Sequence, residues 1–278
     1  MSLAQAEELL RAGQAAGALK ELQESVRSSP ADARLRIFLF QLLCVLGDWK
    51  RAIAQLKICA ELDPSAVTMA QTYREAIICE VYREKVFAGE KTPLAFGEPQ
   101  EWVALMMETL KLLAAGKAEE AAVLRNKAFE AAPDTSGTLN GEPFEWIADA
   151  DMRLGPLLEM VVNGRYFWVP FSAIYEIKAE DPADLRDRVW TAVNVILMNG
   201  GDVVALIPTR YAGTVASEDP QAMLAQSTQW VDAGADTFVG IGQRLLATDQ
   251  GDVALMDLRH LVIGDAPEGL EPSETPDG

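Results

Sequence analysis

Gly13-Gln14-Ala15-Ala16-Gly17-Ala18-Leu19-Lys20-Glu21-Leu22 decides the first half of the chain, because its marks return as Gly47-Asp48-Trp49-Lys50-Arg51-Ala52-Ile53-Ala54-Gln55-Leu56. Gly13, Ala18, Leu22 and Pro30 each recur 34 positions later, as Gly47, Ala52, Leu56 and Pro64. The residue types have a mechanical reason. Glycine turns the chain between two antiparallel helices, alanine lets them approach, leucine fills the space between, and proline ends the unit. Gly116, Ala121 and Pro133 repeat the marks 69 positions beyond Gly47, Ala52 and Pro64, with Ala128 in the slot of Cys59. The unit between, about 65–96, keeps helical spacing at Met69, Tyr73, Ile77 and Val81 but loses the marks. It reads as a degenerate repeat with a longer helix, ended near Gly89 and Thr92-Pro93.

Helix pairs at this period are the tetratricopeptide pattern. Such hairpins stack into a curved solenoid whose concave face comes from the first helix of each pair. The register places Ile37, Gln41, Cys44 and Val45 on that face in the second unit, and Val103, Met106, Leu110 and Leu113 in the last. If the concavity stays open it forms a groove for an amphipathic helix or extended peptide. Ile37, Gln41, Val45, Val103, Met106 and Leu110 are then the partner-binding candidates. Packing between neighbouring helices would account for the same side chains.

Pro133-Asp134-Thr135-Ser136-Gly137 ends the helical array, and Asn140-Gly141 with Pro143 extends the break. Beyond it the pattern is β. Tyr166-Phe167-Trp168-Val169 is a short strand before Pro170, and Val193–Met198 and Asp202–Ile207 flank the hairpin signal Asn199-Gly200-Gly201. Arg244–Thr248 and Val253–Ile263 bracket Asp249-Gln250-Gly251-Asp252. The expected class is α+β: a tetratricopeptide-like solenoid over 1–135, a small antiparallel β-rich, barrel-like domain over 136–263, and a disordered acidic tail over 264–278.

Charge narrows the partners. Lys and Arg total 24 against 42 Asp and Glu, a formal net charge of −18. A surface this acidic repels nucleic acid and anionic membranes. Cys44, Cys59 and Cys79 show no CxxC spacing and sit in apolar helical contexts, as expected of buried thiols in a reducing cytoplasm. The start, Met1-Ser2-Leu3-Ala4-Gln5-Ala6-Glu7-Glu8, has no basic, apolar leader, and no run reaches a membrane span.

Signals for chemistry are weak. His260 is the single histidine and lies in a strand-like run, where a structural role is the ordinary one. No zinc-ligand spacing exists, and Gly240-Ile241-Gly242 lacks the rest of a dinucleotide fingerprint, so turn or bulge glycines are expected. Gly116-Lys117 belongs to the repeat turn, not to a phosphate loop. Asp149 and Asp151, with Asp187, could form a carboxylate site; helix capping or solvent exposure is the ordinary account. Asp184, Arg186, Asp187 and Arg188 alternate in sign, as in a salt-bridged corner or a clasp between the β part and the repeats. Trp146, Trp168, Trp190 and Trp230 suit core or inter-domain packing. No catalytic, cofactor or metal residue is assigned.

Four stretches, in order, resemble one family. They are Asp149-Ala150-Asp151-Met152-Arg153-Leu154-Gly155-Pro156, Asn163-Gly164-Arg165-Tyr166-Phe167-Trp168-Val169-Pro170, Leu185-Arg186-Asp187-Arg188-Val189-Trp190 and Gly240-Ile241-Gly242-Gln243-Arg244. The chain resembles the ImpE/TagJ family of type VI secretion accessory proteins from the repeats to about Ile263. Arg153, Trp168, Pro170, Arg186, Asp187, Trp190, Gly242, Gln243 and Arg244 carry the likeness. Ile207-Pro208-Thr209-Arg210-Tyr211-Ala212-Gly213-Thr214 departs from the family's usual Leu-Pro-Val-Leu-Tyr-Pro-Gly-Ser. The resemblance implies a non-catalytic cytoplasmic adaptor that needs no cofactor. It would bind a helix of the small sheath subunit and connect with the AAA+ unfoldase that recycles contracted sheath. The alternatives are a carboxylate enzyme in the β part or a general co-chaperone clamp, for which Arg34 is the nearest inward cation.

Overall fold

The computed structural model describes residues 3–97 and 100–267. Seven helices of two or more turns come first: α1 (Leu3–Arg11), α2 (Ala15–Ser28), α3 (Ala33–Val45), α4 (Trp49–Leu62), α5 (Val67–Phe87), α6 (Glu101–Ala114) and α7 (Ala118–Ala131). The repeated glycines end α1, α3 and α6 in one way. Gly13, Gly47 and Gly116 have φ of +72°, +69° and +75°, a region closed to most side chains. The next residue's N–H then reaches back to a carbonyl five positions earlier: Gln14 to Leu9, Asp48 to Leu43, Lys117 to Leu112. This closure satisfies carbonyls left over at a helix C-terminus. Asp48 then caps α4 through the Arg51 N–H (3.2 Å).

Gly89 (φ +76°) closes α5 by the same bond, Glu90 N–H to Lys85 O. So α5 is the first helix of the degenerate repeat, 21 residues long against 13 for α3. Among the described residues that unit has no second helix. Its place is taken by an extended segment holding β1 (Leu94–Ala95), which pairs in parallel with a strand of the C-terminal part.

That part contains β2 (Gly137–Leu139), β3 (Glu142–Phe144), β4 (Ile147–Asp149), β5 (Leu157–Val162), β6 (Arg165–Pro170), β7 (Ile174–Ala179), β8 (Trp190–Leu197), β9 (Asp202–Pro208), β10 (Thr228–Asp232), β11 (Phe238–Gly242), β12 (Leu245–Thr248), β13 (Gly251–Ala254) and β14 (His260–Ile263). The main sheet runs β1-β6-β5-β9-β8-β7-β14-β2-β3, with β13-β12-β4 and β10-β11 as smaller sheets. The architecture is α+β, with helical repeats followed by a strand-rich part. The run expected as one strand from Val253 to Ile263 is broken by a 3-10 turn at Leu255–Asp257, which buries Leu255 and Met256 and separates β13 from β14. The acidic tail's residues 268–278 lie outside the described residues.

Alternation along the central strands builds two cores. On β5, Leu157 and Val161 join the helical core while Leu158, Met160 and Val162 join a second one with Ile147 of β4 and Leu246 of β12. Trp168, Trp190 and Leu206 face the helices, whereas Val169, Val195 and Ile207 face away. A sheet covered on both faces reads as continuous apolar strands, which is why β5 is buried along its whole length. The helical repeats and the main sheet therefore share one core. No described helix is long and apolar enough to cross a membrane.

Candidate functional site

The groove candidates are covered by the chain itself, as packing between neighbouring elements would have them. Gln41, Val45, Val103, Met106 and Leu110 are buried, and Ile37 is half-buried. The physical reason lies at the end of α3. Arg210 donates from Nη1 to the carbonyl oxygens of Val45 (2.8 Å) and Met223 (2.6 Å), so a buried guanidinium caps the negative end of that helix. Burial lowers its pKa to about 10. Around it the Tyr73 ring lies 5.8 Å from Phe40 and 5.7 Å from Trp190, and Arg186 sits 4.8 Å over Tyr73. The six candidates are corrected accordingly: a partner cannot reach the five buried ones in this conformation.

Beneath that contact lies a polar network joining the two parts. Glu159 of β5 accepts from Arg83 of α5 at 2.6 and 2.8 Å, and also from Arg244 and the Tyr166 hydroxyl. Trp168 Nε1 donates to Tyr166 (2.8 Å), and Trp190 Nε1 donates to Glu80 (3.1 Å). Burial would raise the Glu159 carboxyl, but Arg83 and Arg244 hold it down at about 2. Glu80 shifts up through burial, against the pull of Arg83.

The resemblance residues belong to this scaffold. Arg244 pairs with Asp149 and Glu159 and donates to Pro208 O (3.0 Å). Arg153 Nε donates to Asp151 Oδ1 (2.9 Å) while its guanidinium covers the Phe87 ring at 4.9 Å. Asp187 accepts from the Ala183 and Asp184 N–H groups (2.8 and 2.7 Å) and closes a capping box. The charged corner thus clasps the β part to the repeats, with Arg186 on Tyr73 of α5. Trp168, Pro170 and Trp190 are buried. Gly242 (φ +98°) lies where a Cβ would meet Ser227 O at 2.1 Å, and Gln243 N–H donates to that same oxygen (2.9 Å).

The ordinary account of the acidic pair, helix capping or solvent exposure, is corrected too. Asp149 and Asp151 are neither exposed nor at a helix end; both are buried and face Arg244 and Arg153. Burial raises the Asp149 carboxyl to about 7, with Arg244 opposing. His260 is held by Glu176 at 2.7 Å. Cys44, Cys59 and Cys79 are buried free thiols, pushed up by burial to about 11 at Cys59 and about 12 at Cys79. A cavity of about 240 Å³ beside the network touches Trp49, Glu80, Arg83 and Arg210.

One apolar groove that stays exposed is lined by residues outside the expected set. Ile78, Val81 and Leu94 are 49, 37 and 37% exposed. Ile78, Cys79, Tyr82 and Leu94 line a mostly apolar groove of about 280 Å³ closed by Gly164 of the β5–β6 turn and by Arg165 and Tyr166 of β6. Arg74, one turn before Ile78, Lys85, one turn after Val81, and Arg165 are exposed around this groove, and the Glu75 carboxylate lies beside Gly164 among them. The adjacent pair Ile77-Ile78 was the available signal: two neighbours cannot share one helix face, so one of them had to point outward. Trp146 and Trp230, expected in packing, are 43 and 41% exposed.

Residues 141–262 match the family model described as ImpE protein, and residues 9–71 match a tetratricopeptide repeat model. The type VI secretion system accessory component TagJ of Pseudomonas aeruginosa is 54% identical over 256 residues, covering 92% of this chain and 90% of that protein. The crystal structure of protein VPA1032 from Vibrio parahaemolyticus superposes with a TM-score of 0.85 at 26% identity, covering 94% of this chain and 98% of that one.

Proposed function

The chain belongs to the ImpE/TagJ family, and from that membership we propose that it is a non-catalytic adaptor of a bacterial type VI secretion system, binding a helix of the small sheath subunit and linking the sheath to its AAA+ unfoldase. The observation that carries the binding mode is the exposed groove along α5, because the concave face is already occupied. An amphipathic helix presents apolar side chains at the spacing of Ile78, Val81 and Tyr82, and each fully buried anchor contributes about 1.5–3 kcal/mol. Arg74, Lys85 and Arg165 favour acidic residues along the flanks of that helix. The adaptor works in the cytoplasm, where its three free cysteines stay reduced.

Calorimetric titration with the purified small sheath subunit tests the reading. Saturable binding is expected, and addition of the unfoldase should yield a ternary complex in sedimentation. A sheath subunit that gives no heat and no co-sedimentation would overturn it. The general co-chaperone reading needs cations lining the concave face, and that face is closed.

A further inference from the structure

The β10–β11 hairpin makes its backbone bonds to the body along the β11 edge, while side chains tie it elsewhere: Arg125 to Thr237 in the turn, Gln229 to Asp219, and the Trp230 ring 5.8 Å from Tyr211. Gly240 N–H donates to Asp151 Oδ2 (2.8 Å) and Gly242 N–H to Thr214 Oγ1 (2.9 Å), while Met152 N–H donates to Phe238 O (3.3 Å) and Tyr211 N–H to Gly242 O (2.9 Å). Phe238, Gly240 and Gly242 thus turn their backbone groups inward, away from β10. In an antiparallel pair, opposed residues alternate between bonding each other and pointing apart. Their partners Asp232, Trp230 and Thr228 must then direct N–H and C=O to the outer edge. No backbone bond from another element reaches those groups among the described residues.

An open edge is normally blunted by Lys, Pro or a bulge. Thr228-Gln229-Trp230-Val231-Asp232 has none of these, and its register with β11 is unbroken. Trp230, Val231 and Phe238 are 41, 48 and 46% exposed, so apolar surface lies on both faces of the ribbon beside the free edge. Charge selects the occupant. Between Arg210 and Arg244 the chain carries Glu218, Asp219, Asp232 and Asp236 and no Lys or Arg. A second copy would bring the same acids to the contact. We infer that β10 is a docking edge for an extended segment of a partner protein, alternating apolar and basic residues, which adds to the hairpin as a further strand. The inference goes beyond the sheath-helix reading and shares no residue with the groove on α5.

A blocked peptide of alternating Val and Lys is the probe, added to the full chain and followed by NMR. Binding should shift the Trp230 and Asp232 amides and slow their hydrogen exchange. Methylation of alternate peptide nitrogens, which removes the strand-pairing donors but keeps the charge, should weaken binding at least about tenfold. Trp230→Ala keeps the outward N–H and Trp230→Pro removes it, so the proline variant should bind more weakly than the alanine variant at equal folded content. Equal affinity for the methylated peptide, or shifts confined to residues outside 228–232, would overturn the inference. So would protection of the same amides by self-association without peptide.

Discussion

Arg83 on α5 and Glu159 on β5, 76 positions apart, meet as a two-armed ion pair at 2.6 and 2.8 Å, buried between the repeats and the sheet. The pair fixes how the two parts sit. A buried pair is expensive to break from one side; here Glu159 would keep only the Arg244 it shares with Asp149, and Glu80 would lose its ion pair with Arg83. Arg83→Met should therefore destabilise the chain by about 3–5 kcal/mol in urea unfolding. The double variant Arg83→Met, Glu159→Leu should recover part of that loss, since Arg244 still faces Asp149. Equal destabilisation by both would place the value of Arg83 elsewhere.

The network carries a pH dependence of known sign. Glu159 is held at about 2, below its unfolded value near ~4.3, so its contribution is present above ~4.3 and lost as pH falls toward 2. Asp149 is raised to about 7, so between its unfolded value of ~3.9 and 7 the folded state binds more protons, and its contribution declines as pH rises. The stability difference between wild type and Glu159→Gln should therefore shrink below pH ~4. Asp149→Asn should gain relative to wild type from pH ~4 to 7. Unfolding series at stepped pH would read both, and flat differences would contradict them.

Gly47 does two tasks. Its φ of +69° closes α3, and a Cβ there would lie 2.6 Å from Val215 Cγ1 in the C-terminal part. Gly47→Ala should lower stability by about 1–3 kcal/mol through overpacking and the left-handed backbone. Adding Val215→Ala should return part of it. Additive losses in the two variants would show that the turn and the loop are not in contact.

Much of the helical part was legible because its rules are local. The glycine, alanine and proline marks report backbone turns and close approach, and the structure has them at Gly13, Gly47, Ala18 and Ala52 as expected. Closure of the groove was not legible, because it depends on which face a distant residue meets. Arg210 bonds carbonyls 165 and 166 positions away, and nothing in the α3 sequence marks its last carbonyls for a guanidinium. One signal was present and unused. Arg125 occupies the slot of Leu22 and Leu56 in the last repeat, and the buried guanidinium donates to Thr237 in the β10–β11 turn. A cation in a core slot points to a polar partner arriving from elsewhere.

That substitution can be reversed. Arg125→Leu restores the repeat's own residue and removes a buried Nε that has no hydrogen-bond partner among the described residues. Replacing a buried ion by a well-packed apolar side chain is often neutral or stabilising. The thermal midpoint should hold or rise, while hydrogen exchange at Thr237 and Phe238 speeds up as the hairpin loses its tie to α7. Slower or unchanged exchange there would show that Arg125 does not anchor the hairpin.

Titration of the small sheath subunit into Ile78→Glu, beside Arg34→Glu, asks most directly whether partners use the outer groove of α5. Ile78 is half exposed, so glutamate should leave the fold intact while placing a like charge before an acidic helix. Affinity should fall at least about tenfold for Ile78→Glu and stay unchanged for Arg34→Glu. Full affinity in a folded Ile78→Glu protein would contradict the account.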